Sequence, residues 1–431
     1  MTSTYERLGA VIDELEEIRA ELKPVDPKPK PEPDPKPKPE PTGKLDWVKA
    51  AMPRGIGPQH KRPNILYGYM ATTAFDAYKA ATGCLPDIGG GLTSTDDGWE
   101  SIIGGAYAKG GAYVEPHSMV DWAYYGNTKL MMETEGCWVV PHGPIMPYST
   151  TFEDAVKIAN GTFRWNGLSY DDMMARRGER VATHCKANGK SLDLIVERPA
   201  HEFNGTTKFR VADFQGDDNF WRVGIKKGYK KDEVLEVFQE IFSRFCKNTW
   251  KGAGQKISTA LSPQMQNQPN VPWYEYEEFM GGPMEGVIRM VCGSIHPNPY
   301  RAKDDKTMRA WITGTEMPNA YTLGKALKAA KWATERGDEI VKCGTLEWSP
   351  VHNSSNNPKL FEDSMKMYPA VVDLVYDYIE DPANQPYMFA VCIHATHNCF
   401  DPNDMNGKTN AENIGYWKQA VARMKARHRG A

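Results

Sequence analysis

The sequence is short of several things, and each shortage removes a class of function. Nowhere in its 431 residues is there a run of about 18 apolar residues, so no membrane span is expected. Charge of one sign is not concentrated: 52 Lys and Arg stand against 55 Asp and Glu, a formal net charge of -3. A nucleic-acid partner is therefore not expected, because a polyanion needs a clustered basic surface. Cysteine is sparse, with 8 in the chain. Cys137, Cys292, Cys343 and Cys392 lie beside short apolar runs, which reads as reduced, buried thiols rather than a disulfide framework. Residues 1–23 lack the continuous apolar stretch of a secretory signal, so synthesis in the cytoplasm is the expectation. The string His394-Ala395-Thr396-His397-Asn398-Cys399 matches no standard zinc spacing and lacks the metalloprotease glutamate, so no metal site is assigned. The run Ile88-Gly89-Gly90-Gly91 lacks the lysine of a phosphate loop and reads as a flexible loop. Nothing in the sequence calls for a cofactor.

What the sequence does have falls into three zones. In residues 4–23, Leu8, Val11, Leu15, Ile18 and Leu22 follow the 3,4,3,4 spacing of a coiled-coil seam. Only about two heptads are present, and a lone helix that short is marginal in water. It predicts self-association, a trimer being one form, or docking on a larger assembly or on the chain's own body. In residues 24–43 nearly every second residue is proline. Proline has no N–H and a fixed φ, so this zone reads as a polyproline-II spacer reaching ~55 Å at about 3.1 Å per residue.

Residues 44–431 form the third zone. Hydrophobic residues make up 40% of the chain, enough for a large core. Short apolar runs alternate with polar loops and helical patterns. Strands are expected at 64–70, 137–141, 192–198, 256–262, 287–294, 339–346 and 387–393. Helices are expected at 232–247, 322–335 and 369–379, with another starting near Tyr170. The βαβα order implies a parallel sheet, and the length suits an α/β (β/α)8 TIM barrel. The second strand cannot be identified, and residues 84–136 resist parsing.

Barrel enzymes carry their chemistry where strands end and βα loops begin. Asp193–Pro199 reads as a buried strand, and His201, Glu202, Asn204 and Gly205 follow it directly. Glu339–Leu346 is also strand-like, and Glu347 and Trp348 follow. A carboxylate at each of two strand ends suits glycoside cleavage: one protonates the leaving oxygen, the other attacks the anomeric carbon or activates water. The 12 Trp and 20 Tyr are mostly core, yet such rings also stack on pyranose faces.

The segment Arg198-Pro199-Ala200-His201-Glu202-Phe203-Asn204-Gly205 resembles the acid/base motif of glycoside hydrolase family 26, with Phe203 where that family commonly has Met. The resemblance implies a retaining (β/α)8 barrel acting on a polysaccharide. Glu202 would be the acid/base after strand four, and Glu347 the nucleophile after strand seven. It also implies that Arg198, His201, Asn204, His296, Tyr300, Trp273 and Trp348 line the substrate cleft. The family's mannanases follow Asn-Gly with a tryptophan-rich run. Here Thr206-Thr207-Lys208-Phe209-Arg210 follows and Trp221 comes only later, so the motif does not imply mannan. The mechanism expected is double displacement, with the two carboxyls about 5–5.5 Å apart.

Coiled coil, spacer and barrel together suggest a tethered depolymerase of a bacterial surface glycan or exopolysaccharide. A phage virion protein made in the host cytoplasm and acting at the cell surface would have this organisation. A bacterial glycanase, a catalytically silent glycan-binding module and a structural decoration protein remain open alternatives.

Overall fold

The computed structural model describes residues 43–51, 66–71, 87–92, 136–147, 149–200, 203–205, 209, 211–213, 218–264, 271–295, 304–315, 317, 319–348, 358–395 and most of 415–427. For β1, His142 and the ends of β2, β7 and β8 only the backbone is described. These residues belong to one compact unit, Pro41–Ala431. The expected coiled coil and spacer lie outside the described residues.

Eight strands close into a barrel: β1 Leu66–Ala71, β2 Ile88–Leu92, β3 Trp138–Gly143, β4 Val196–Pro199, β5 Ser258–Leu261, β6 Met290–Cys292, β7 Lys342–Trp348 and β8 Met388–Ala395. Each pairs in parallel with its neighbours in chain order, and β8 returns to β1 in the register Leu66↔Ala390 to Ala71↔Ala395. This is the expected (β/α)8 architecture.

The described helices are α1 Trp47–Ala51, α2 Phe152–Ala159, α3 Tyr170–Ala187, α4 Phe220–Lys226, α5 Lys231–Ala253, α6 Tyr276–Met280, α7 Asp305–Thr313, α8 Leu323–Arg336 and α9 Pro358–Glu380. Several begin at the side-chain caps the sequence advertises. Ser169 accepts from the Asp172 amide and Thr322 from the Lys325 amide, and each satisfies one orphan donor of the first turn.

Three expectations need correction. The glycine run at 88–91 is not a loop but strand β2, held between Gly68↔Ile88 on one side and Ile88↔Trp138 on the other. Pairing with two neighbours overrides the weak β-propensity of glycine, and glycine suits a strand approached closely by its neighbours. The strand expected at 192–198 opens as a 3-10 turn, Leu192–Leu194, and becomes extended only at Val196. Ser191 caps that turn by accepting from the Asp193 amide. The helix expected to start at Pro369 starts at Pro358 and runs through Pro369; the Arg423 guanidinium donates to the Pro369 carbonyl (3.0 Å).

Strand residues divide by alternation. Ile88, Trp138, Val140, Val196, Ala260, Met290, Cys292, Leu346, Phe389 and Ala390 form one buried cluster, which is the barrel lumen; the consecutive pair Phe389 and Ala390 marks a register shift of β8 against β7 between Met388 and Ala390. Leu261, Val291, Cys343 and Met388 join the larger cluster beneath the helices. Cys137, Cys185, Cys246, Cys292 and Cys343 are buried free thiols. Burial pushes Cys137 and Cys185 up to about 12, which suits small hydrophobes rather than nucleophiles.

Helix α1 closes the floor of the barrel, where the strands begin. Trp47 packs against Trp138 and Phe389 in the lumen cluster (centroids 6.0 and 5.1 Å) and donates its indole N–H to the Ile340 carbonyl (3.0 Å). Lys342 at the start of β7 pairs with Asp46 (2.8 Å), and Lys44 donates to carbonyls at the end of α8. Beside them Glu339 binds Arg289 (2.6 Å) and Lys256 (2.8 Å). Among the described residues this end of the barrel is filled, and β4 and β7 finish at the opposite end.

Candidate active site at the strand ends

Along β4 the alternation sorts the residues. Val196 belongs to the lumen cluster. Glu197 turns outward and meets Arg177 of α3 at 2.8 Å, both nearly inaccessible. Arg177 also donates to Thr249 of α5 (3.1 Å) and lies over the Phe245 ring. Arg198 returns to the lumen face and is 1% exposed.

Where β4 ends, Ala200 adopts φ +50°, a left-handed conformation that costs an L-residue about 1–2 kcal/mol. Its N–H is held by the Gly143 carbonyl at the end of β3 (2.9 Å). Backbone strain of this kind collects at functional sites. His201 and Glu202 follow and lie outside the described residues.

The next three residues are fixed. Phe203 is fully buried, packed against Phe238 (4.8 Å) and Phe279 (4.9 Å). The exchange of Met for Phe thus fills an aromatic core. The Asn204 carboxamide donates to the Gln264 carbonyl (3.0 Å) and accepts from the Gln264 amide (2.6 Å), so it spans from the β4 loop to the β5 loop. The Gly205 carbonyl accepts from Asn219 (3.2 Å), and the Phe203 carbonyl accepts from the Trp221 indole (2.9 Å). Trp221 is fully buried.

At β7 the register against β8 slips. Thr345 pairs with Val391, but the next pair is Trp348 with Ile393. One extra residue is therefore accommodated on β7 between Thr345 and Trp348, a bulge in the strand. Glu347 is the next-to-last residue of this strand. The backbones of Glu347 and Trp348 are described; their side chains are not.

His296 and Tyr300, after β6, lie outside the described residues, as do His397 and Cys399. Trp273, in the loop after β5, is half-buried. Its ring stacks on Tyr321 (4.4 Å, 25°), its N–H goes to Glu275 (3.0 Å), and the Lys325 ammonium lies over the ring (4.8 Å). Much of its surface is thereby occupied. Burial lowers the Lys325 pKa against the pull of Glu275. Among the described residues no group of three or more metal-ligating side chains converges, and no helix is long and apolar enough to cross a membrane.

Sequence reasoning missed Asn219, Gln264 and Ala200. Asn219 carried a signal: an asparagine just before the apolar pair Phe220-Trp221 is a helix-cap pattern. Its Oδ1 does accept from the Arg222 amide. Gln264 meets the Asn204 carboxamide through its main-chain N–H and carbonyl, groups that nearly every residue type carries.

No protein-family model matches the sequence, and no curated protein sequence matches it. Solved structures with a similar course of chain include the catalytic domain of a GH26 endo-beta-1,4-mannanase from Bacillus sp. JAMB-750, at 13% identity, 89% of each chain and a TM-score of 0.47. Another is the Bacillus subtilis mannanase man26, at 10% identity, 88% of this chain and 91% of that one, and a TM-score of 0.44. A third is a glucosidase from Croceicoccus marinus, at 10% identity, 86% of this chain and 69% of that one, and a TM-score of 0.47. The fold assignment itself rests on the closed strand order described above.

Proposed function

We propose that this chain is a retaining glycoside hydrolase with Glu202 as general acid/base and Glu347 as nucleophile. The observation that carries the reading is the strand count. Strand β4 ends three residues before Glu202, and Glu347 is the next-to-last residue of β7. The C-terminal ends of β4 and β7, the strands the motif resemblance specifies, lie at one end of a closed parallel barrel.

In the first step the Glu347 carboxylate attacks the anomeric carbon as the bond to the leaving oxygen breaks, and Glu202 gives that oxygen its proton. In the second, Glu202 takes a proton from water, the water oxygen bonds to the anomeric carbon, and Glu347 is released. Arg198 supplies a fixed positive charge on the lumen face of β4. His201, Asn204, His296, Tyr300, Trp273 and Trp348 are the proposed contacts to substrate or carboxylates. Asn204 would act mainly by holding the loop, since its amide is engaged by Gln264.

The substrate is proposed to be a β-linked polysaccharide of a bacterial surface, with the seam at 4–23 and the proline spacer acting as a tether. The test is release of reducing ends from capsule, exopolysaccharide and plant β-glycan panels, with products sized by mass spectrometry. Glu202→Gln and Glu347→Gln should each lose activity by 10²-fold or more, on the order expected for removing an acid/base or nucleophile. Full activity in Glu202→Gln, or no release from any glycan by the wild-type chain, would sink the enzymatic reading, the second in favour of a silent glycan-binding barrel. Light scattering on the full chain tests the tether: a monomer at micromolar concentration argues against oligomerisation through 4–23.

A further inference from the structure

Phe203, Asn204 and Gly205 are consecutive, and each is tied to a different support. Trp221 holds the Phe203 carbonyl, the Gln264 main chain grips the Asn204 amide, and Asn219 holds the Gly205 carbonyl. On the other side of Glu202, the Ala200 amide is held by Gly143. The backbone is thus anchored within two residues of Glu202 in each direction. Asn219 and Trp221 come from one place, the N-terminal turn of α4, and both are fully buried.

Asn219 divides its carboxamide between two jobs. Its Oδ1 caps α4 by accepting from Arg222 (3.2 Å), while its Nδ2 reaches the loop. Capping alone would need only the oxygen. Trp221 likewise has more than packing to do. Its ring already lies against Phe220, Phe238, Tyr274 and Phe279, contacts a phenyl ring could largely supply. The indole N–H aimed at a main-chain carbonyl is the additional feature.

We propose that the N-terminal turn of α4 is a clamp that positions Glu202, with Trp221 and Asn219 as positioning residues that never touch substrate. The proposal rests on the assignment of Glu202 as acid/base. Proton transfer in the transition state depends on distance and direction, and a misplacement of about 1 Å can cost 10²-fold. A carboxylate on a loop keeps such geometry only if the loop's own main chain is fixed.

The variants that test it are Trp221→Phe, which keeps a ring and loses the donor, and Asn219→Ser, which keeps the cap and loses the reach to Gly205. Amide hydrogen exchange should quicken by about 10-fold or more in peptides covering 200–206, with protection of α5 and the barrel strands unchanged. The kinetic arm compares phenyl with 2,4-dinitrophenyl β-mannobiosides and β-cellobiosides. Dinitrophenolate departs without a proton, whereas phenolate needs one. Both variants should lose about 10–100-fold in kcat/KM on the phenyl glycosides, and about 3-fold or less on the dinitrophenyl ones.

Unchanged exchange at 200–206 overturns the clamp, and this arm needs no substrate. Equal loss on both leaving groups also overturns it, since a structural defect lowers every activity alike. Glu202→Gln is the reference. If it shows the leaving-group split and the two variants do not, the clamp fails and the acid/base assignment stands. If Glu202→Gln shows no split, the assignment fails and the clamp's catalytic purpose falls with it.

Discussion

Ala200 takes a left-handed φ one residue after β4, and a methyl group is tolerated there only because the Gly143 carbonyl and the loop anchors hold the turn. Glycine reaches the same φ without the steric cost but loses more chain entropy on folding. Ala200→Gly should therefore leave the melting temperature unchanged or raise stability by up to about 1 kcal/mol, whereas Ala200→Val should cost about 2 kcal/mol or more. Thermal unfolding of both variants decides; a destabilised glycine variant would contradict the strain. Three residues earlier in sequence, Glu197 forms a buried pair with Arg177, which gives a second case. Glu197→Gln leaves a buried guanidinium without its counter-charge and should cost about 3–5 kcal/mol. The double replacement Arg177→Met with Glu197→Leu should recover most of that, measured by urea unfolding, because two apolar groups strand no charge.

At the scale of elements, α3 and α5 approach so closely that only glycine fits at their crossing. A Cβ on Gly178 would lie 1.9 Å from the Thr249 carbonyl oxygen, and one on Gly252 1.7 Å from that of Ala175. Neither clash can be relieved by turning a side chain, since both partners are backbone. Gly178→Ala and Gly252→Ala must push the helices apart, at about 1–3 kcal/mol each. Their melting temperatures should fall, and less than additively when combined, because one displacement relieves both clashes. Arg177 and Thr249 lie at this crossing, so the same shift should loosen the ion pair behind β4. The helices were legible in the sequence from their helical patterns; the crossing was not, because an isolated glycine in a helical pattern does not say which backbone it lets in.

The whole molecule is held at its floor by charges that pH can remove. Burial raises the Glu339 pKa, but hydrogen bonds and charges from Arg289 and Lys256 outweigh that and pull it down to about 2. A depressed carboxylate stabilises the fold above its unfolded pKa, and the contribution is lost as pH falls through the folded value. The window is therefore from about pH 5 to about pH 2, and the contribution at neutral pH is at most about 3 kcal/mol. Glu339→Gln should lower the neutral-pH melting temperature and flatten its acid limb; an unchanged acid limb would show that other carboxylates control it. Deleting residues 1–43 should leave barrel stability intact, whereas deleting 1–51 removes Trp47 from the lumen and Asp46 from Lys342 and should lower the melting temperature by several degrees or more.

The sequence by itself determined the barrel class, seven of the eight strand positions within a few residues, and the two glutamates on which the functional proposal stands. Those features are local: apolar runs, helical patterns and a short motif declare themselves without neighbours. Tertiary structure decided what depends on a second chain segment. The glycine run became β2 because Leu66–Ala71 and Trp138–Gly143 flank it. Trp221 and Asn219 were drawn to the loop beyond β4 because helix α4 folds back over it. The register slip between Thr345 and Trp348 exists only in relation to β8. A residue's type states which bonds it can make; only the fold states which partner arrives within reach.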